Sequence, residues 1–299
     1  MKKKLTLALA IMLILVSFGS CKNKEVPEKP GETTPPQSET IPGGTTDQTD
    51  AEDKNQDENN SAAPIEDEKT AAEKKIDISM TDVNDSVTLK DSGEEIYSKT
   101  VQKIKVTAID KDYSDGAKKI STAMRAAHDR HNKEATELKN SLLEFAGEND
   151  VTTPWCLEVK YTLGRSDSKA VSILENVYYN AGGPHPTIAD FGYNFDPATG
   201  DQITLSSFTN DDEEIKASLN DVINKKLHEN YSEDLLSPDY LMSGTYVDVA
   251  DDSWYFKEDG TGITIVFNQY DIAPYAAGTF EVDVDKNELP EAAAKYFLK

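Results

Sequence analysis

The chain has 299 residues, with 55 Asp and Glu against 31 Lys and Arg, a formal net charge of −24. That balance excludes a partner recognised through its phosphates, which needs clustered Lys and Arg, so no nucleic acid is expected. It equally excludes adhesion to anionic lipid through a basic patch. Hydrophobic residues are 37 % and aromatics 8 %, which fits a chain that folds in one part and not in another. Two cysteines make no disulfide framework.

Lys2, Lys3 and Lys4 precede an almost unbroken apolar run over 5–16. The run has the length of a signal-peptide core and is short for a bilayer span. It ends in Ser17-Phe18-Gly19-Ser20-Cys21, which resembles the lipobox of bacterial lipoproteins, with Phe18 where that family usually has Leu. The resemblance implies a signal peptide over 1–20 and a diacylglyceryl group on Cys21. The membrane is then a partner through that lipid, and the protein faces the extracytoplasmic side.

Residues 21–75 contain no aromatic side chain and few branched apolar ones. Such a segment cannot bury enough surface to offset its ordering entropy and is expected to be a disordered acidic tether. With 7 lysines against 14 acidic residues in 22–75, and three lysines in the signal, the remaining 76–299 carries −20 of the total −24. Asp53-x-Asn55-x-Asp57 has the opening spacing of a calcium loop, but Glu58 stands where the turn needs Gly and Pro64 where a bidentate ligand belongs. It reads as a solvated acidic run.

Apolar periodicity begins at Ile76. Short strands are expected at 86–89 and 104–108, with Asp91-Ser92-Gly93 a turn. A long helix follows, capped by Ser114 or Asp115 and running to about Ala146. Its apolar stripe is Ile120, Met124, Ala127, His131, Leu138, Leu142 and Phe145, and Gly147 holds the place of a left-handed C-cap. Trp155, Leu157, Val159, Tyr161 and Leu163 alternate with polar residues; after Gly164–Asp167, Val171, Ile173, Glu175, Val177 and Tyr179 alternate back. This predicts an antiparallel hairpin with one wet face. A second hairpin is expected from 191–195 and 202–205. A second helix is expected from about Asp212 to His228, with Ile215, Leu219, Val222, Ile223 and Leu227 buried. Its opening acids and closing bases suit the macrodipole. A third hairpin at 254–256 and 263–267 and a last strand at 280–284 complete the reading. The class is α+β: antiparallel hairpin sheets packed against one long and one medium helix.

Little of this sequence carries recognisable chemistry. His128 and His131 stand three apart on the long helix without an identifiable third ligand, so no metal is expected and His131 reads as a hydrogen-bonded brace. Cys156 beside Trp155 reads as small packing material. There is no G-x-S-x-G, glycine-rich phosphate loop or H-E-x-x-H. No catalytic residue and no cofactor is assigned, and the chain is expected not to be an enzyme.

Two segments carry a family resemblance. One is Val177-Tyr178-Tyr179-Asn180-Ala181-Gly182-Gly183-Pro184-His185-Pro186-Thr187, continued by Tyr193–Gly200 and Ile203–Phe208; the other is Phe267-Asn268-Gln269-Tyr270-Asp271-Ile272-Ala273-Pro274-Tyr275-Ala276-Ala277-Gly278. They resemble the extracytoplasmic region of RsiV-type lysozyme-binding anti-sigma factors and the non-catalytic N-terminal region of PdaC-type peptidoglycan deacetylases. The resemblance implies two α+β domains, PdaC-like over 76–185 and RsiV-like over 186–299. It implies a lipid-anchored envelope module that binds lysozyme, another basic protein or a cell-wall component such as peptidoglycan. No sigma-binding segment or deacetylase domain is recognised, so only the binding role is carried over. Gly182, Gly183, His185, Tyr270, Pro274 and Tyr275 are the candidate ligand-binding residues. The same residues also read as corners of the fold, with Gly182-Gly183 taking positive φ, His185 bracing the loop, and the acidic surface then serving as the contact face. A glycan-modifying enzyme using a carboxylate pair and a scaffold for another envelope protein are the alternatives.

Overall fold

The computed structural model describes residues 73–232, 235–236 and 252–298. The signal peptide, Cys21, the Asp53–Asp57 spacing and the tether up to residue 72 lie outside the described residues.

Strands β1 (Ile76–Thr88) and β2 (Glu95–Ala108) form a long antiparallel hairpin, extending well beyond the short strands expected from sequence. Helix α1 (Ser114–Ala146) then carries the chain back over the sheet to β3 (Trp155–Ser166). As a consequence β2 and β3 pair in parallel, Tyr97 opposite Trp155 through Val101 opposite Val159. This one pair departs from the antiparallel hairpins expected: a helix this long returns the next strand in the same direction, the usual way a parallel pair is made. β4 (Val171–Asn180) and β5 (Thr187–Phe195) complete a five-stranded mixed sheet ordered β1-β2-β3-β4-β5.

The α1 stripe buries Ile120, Met124, Ala127, His131, Leu138 and Leu142 as expected, together with Ala117 and Ala135. Phe145 is instead 40 % exposed. The helix start also differs. A one-turn 3-10 segment, Lys111–Tyr113, precedes it, and Asp110 rather than Ser114 or Asp115 accepts a backbone N–H, from Asp112 at 3.0 Å. Gly147 has φ −70°, right-handed. The helix unwinds through turns in which Asn149 Nδ2 donates to the Phe145 carbonyl at 3.0 Å, so no left-handed cap is needed.

After β5 the expected second hairpin shrinks to a single bridge, Phe195 with Gln202, around the Asp196–Gly200 turn. The chain leaves it for a short helix α2 (Ser206–Thr209). Helix α3 (Glu213–Asn230) follows as expected, with Asp212 accepting from the N–H groups of Glu214 and Ile215. Leu219, Ile223 and Leu227 are buried, whereas Ile215 is exposed. Strands β6 (Trp254–Phe256), β7 (Gly262–Phe267) and β8 (Phe280–Asp285) form an antiparallel sheet.

The described residues fall in one compact unit with two cores. One lies between α1 and the five-stranded sheet; the other is built from α2, α3 and the three-stranded sheet. The 185/186 division falls between β4 and β5, two paired strands of the same sheet.

β6 joins the two regions and covers one end of the face expected to be wet on β3 and β4, burying Ser172 while Thr162 stays exposed. Gly192 N–H donates to the Asp252 carbonyl at 2.6 Å, and a Cβ on Gly192 would collide with the Trp254 carbonyl. Asn194 Nδ2 donates to that carbonyl at 2.9 Å. Ser172, fully buried, donates to Asn194 Oδ1 at 2.7 Å and accepts from the Phe256 N–H at 3.0 Å. Polar side chains on this face thus satisfy backbone groups of the crossing strand.

Candidate functional site

The loop over 181–186 joins β4 to β5. Asn180 Oδ1 accepts the Gly182 N–H at 2.8 Å, and Gly182 has φ +72°. A Cβ there would run into the indole Nε1 of Trp155, so the sequence requires Gly on both counts. Gly183 is not in the left-handed region, and it is exposed like Pro184 and His185.

The second motif lies in the loop between β7 and β8. Its Asn268 takes the place of a neighbouring strand along β5. Asn268 Oδ1 accepts the Asp190 N–H at 2.8 Å and Nδ2 donates to the Asp190 carbonyl at 3.2 Å. Asp271 Oδ2 in turn accepts the Asn268 N–H at 2.6 Å. Burial raises the Asp271 carboxyl above its usual range, with the Asn268 N–H acting in the opposite sense. Ile272 and Ala273 sink into the core. Pro274, exposed, opens the 3-10 turn Tyr275–Ala277 that presents Tyr275.

These loops meet. The His185 and Tyr275 rings lie 4.6 Å apart at 33°, and Tyr275 and Tyr270 lie 5.8 Å apart at 39°. Tyr270 is 56 % exposed and has φ +70°. A bulky residue in that region is uncommon and its cost is of order 1–2 kcal/mol. Residues drawn from two distant segments thus form one file of rings at the surface. Gly182 and Pro274 shape the loops that carry them. The structural reading of the motifs holds for Gly182 and for Ile272-Ala273. Cys21 lies outside the described residues.

Sequence reasoning missed a second grouping, inside the first core. Glu175, 0 % exposed, lies among four side chains. Tyr161 OH donates to its Oε2 at 2.8 Å and Tyr193 OH donates to the same atom at 3.3 Å. His131 Nε2 stands 3.1 Å and Arg130 Nη2 3.2 Å from its Oε1. His131, 3 % exposed, uses Nδ1 toward Glu134 at 2.7 Å. Burial works against a charged imidazole, but the hydrogen bonds to Glu134 and Glu175 together outweigh it and raise His131 to about 9. Burial, with Glu175 alongside, pushes Tyr193 up to about 12 and Tyr161 higher still. The signal was a Glu at an inward position of an alternating strand and a His on an apolar helical stripe; only their meeting was illegible. Glu175 and His131 are sealed and Arg130 is half exposed, and the grouping fastens α1 to the sheet.

His128 Nδ1 bonds the Gln102 carbonyl at 3.1 Å, so the two histidines serve different partners. Among the described residues no three His, Cys, Asp or Glu side chains are grouped to hold a metal ion. Cys156 is buried, opposite Asn180 in the β3–β4 register. No described helix is long and apolar enough to cross a membrane.

The architecture is that of an α+β protein with a five-stranded mixed sheet and a three-stranded antiparallel sheet. Residues 206–287, which span α2 to β8, match the family described as "Protein of unknown function (DUF3298)". The crystal structure of a DUF3298 family member from Bacteroides fragilis is similar at 16 % identity and a TM-score of 0.53, covering 75 % of this chain and 98 % of that one. A DUF3298 family protein from Pseudomonas aeruginosa gives 14 % identity, a TM-score of 0.47 and coverage of 75 % and 97 %. The Bacteroides likeness shows a shared fold. No curated protein matches the chain.

Proposed function

We propose that this chain is a cell-envelope ligand-binding module, tied to the extracytoplasmic side by a lipid on Cys21, which holds its ligand on the His185–Tyr275–Tyr270 face. The observation that carries the reading is the convergence of two loops on that file of rings, with Tyr270 kept in a costly backbone conformation at the surface. Strain of this kind is retained where a side chain's position matters.

The −20 charge of 76–299 steers cationic partners and repels polyanions. Together with the resemblance to lysozyme-binding anti-sigma factors, it makes a basic protein such as lysozyme one occupant to test; peptidoglycan is the other. Calorimetry of the full chain with lysozyme at low salt, repeated with His185→Ala and Tyr275→Ala, reads out the face. Binding that survives both substitutions unchanged would remove this face from the proposal. Palmitate labelling of the wild-type chain and of Cys21→Ala tests the anchor: label is expected on the first and not on the second.

A further inference from the structure

The ring geometry at the surface differs from that in the core. Buried aromatic pairs of the second core meet at 44° to 73°. The pairs around the 181–186 loop lie flatter: His185–Tyr275 at 33°, Tyr270–Tyr275 at 39° and, across Gly182, Phe145–Trp155 at 33° with centroids 5.8 Å apart. Among the described Phe, Tyr and Trp side chains, those exposed past a third of their surface are Phe145 and Tyr270, one in each set. Gly182 lies against the Trp155 indole, and His185 follows three residues later in the same loop.

Resting on the binding role proposed above, we infer that the ligand of this face is an uncharged glycan chain, with His185–Tyr275–Tyr270 as one stacking station and Phe145–Trp155 as a second. Tyr270, His185 and Phe145 are exposed and the pairs they belong to are tilted by 33° to 39°, which leaves ring surface open to solvent; the apolar CH face of a pyranose packs on such a surface while its hydroxyls remain free for hydrogen bonds. The tyrosine hydroxyls and the His185 imidazole supply polar partners beside the rings. Nucleic-acid bases would stack equally well, but a net charge of −24 rejects their phosphate backbone.

The test uses N-acetylglucosamine oligomers of two to six rings, titrated into the full chain by calorimetry and by its tryptophan fluorescence. Tyr270→Gly, Tyr275→Ala and Phe145→Ser are compared with wild type, and lysozyme serves as a parallel arm. Gly accepts φ +70°, so Tyr270→Gly removes the ring without disturbing the loop. Affinity is expected to rise with oligomer length. Tyr270→Gly and Tyr275→Ala should each weaken every oligomer roughly tenfold, about one aromatic stack. Phe145→Ser should weaken only the longer oligomers. No binding of any oligomer at about 10 mM, weaker than any specific site, overturns the inference. If lysozyme still binds through His185 and Tyr275 in that case, the binding role stands and its ligand is a protein. Oligomer binding that ignores both tyrosine substitutions also overturns it.

Discussion

The two cores of this protein share an apolar interior but differ in what is added to it. The second core is held by an aromatic cluster in which Phe208, Trp254, Phe256, Tyr296 and Phe297 interlock with centroids 5.0–6.2 Å apart. The first core has no such cluster around α1. Its helix is fastened to β3, β4 and β5 by the Glu175 grouping. Apolar packing is insensitive to pH and tolerant of small shifts. A buried polar grouping is directional, specifies one register of helix on sheet, and depends on protonation. Each region has one of the chain's two tryptophans, Trp155 and Trp254, so single-tryptophan variants can follow each core separately.

The largest expected effect comes from Phe256→Ala. Phe256 touches four aromatic rings and the Arg165 guanidinium, which lies 5.3 Å from its ring centroid. Its loss should cost about 3–5 kcal/mol, seen as a fall in the denaturant midpoint reported by Trp254. Equal loss at both tryptophans would show that the cores unfold together, through β6 and the buried Arg165–Asp167 pair.

Next in size is Glu175→Ala. It leaves the buried His131 Nε2 and Tyr161 hydroxyl without their acceptor and should cost about 3 kcal/mol. Glu175→Gln keeps the shape and one acceptor and should cost less. If the grouping acts as a directional fastener, replacing Glu175, His131 and Tyr161 together with Leu, Leu and Phe restores much of the stability while broadening the amide spectrum of α1. A triple variant as unstable as Glu175→Ala would argue against that description.

The pH response separates the cores more cleanly. The folded pKa of His131, about 9, lies above the ordinary value near 6.5. Its contribution is therefore fully present below about pH 6.5 and is lost as pH rises through about 9. The amount is on the order of 3 kcal/mol. Tm should fall between pH 7 and pH 9.5, and His131→Gln should flatten that slope. A slope that persists in His131→Gln would assign it to other groups.

Much of this was legible in the sequence, and what was missed has a common cause. Periodicity places α1, α3 and β6 to β8 because each repeats its own local pattern. The parallel β2–β3 pair depends on where a 33-residue helix returns the chain, which no local pattern records. The partly covered wet face depends on the chain entering β6 beside Gly192, whose N–H bonds the Asp252 carbonyl sixty residues on. Glu175 is legible as an inward position of an alternating strand, but its partners lie on α1, β3 and β5, which no local pattern brings together. The candidate face shows the same division: each loop was singled out by its own residues, but only the fold brings His185 to Tyr275.

The smallest predicted effect compares how the two long helices begin. Asp212 accepts two N–H groups at the start of α3, at 3.0 and 3.1 Å. Asp110 accepts one, at 3.0 Å, and it belongs to the 3-10 turn ahead of α1. Asp212→Ala should therefore cost about 1 kcal/mol, the usual value of an N-cap. Asp110→Ala should cost only a few tenths, because α1 keeps its own first turn and its stability comes from the buried stripe. The measurement is the urea midpoint of each variant at pH 7, with Trp254 reporting the first substitution and Trp155 the second. If Asp110→Ala proved the more damaging, the 3-10 turn would have to be part of the lock between α1 and the sheet, and the fastening would extend beyond Glu175.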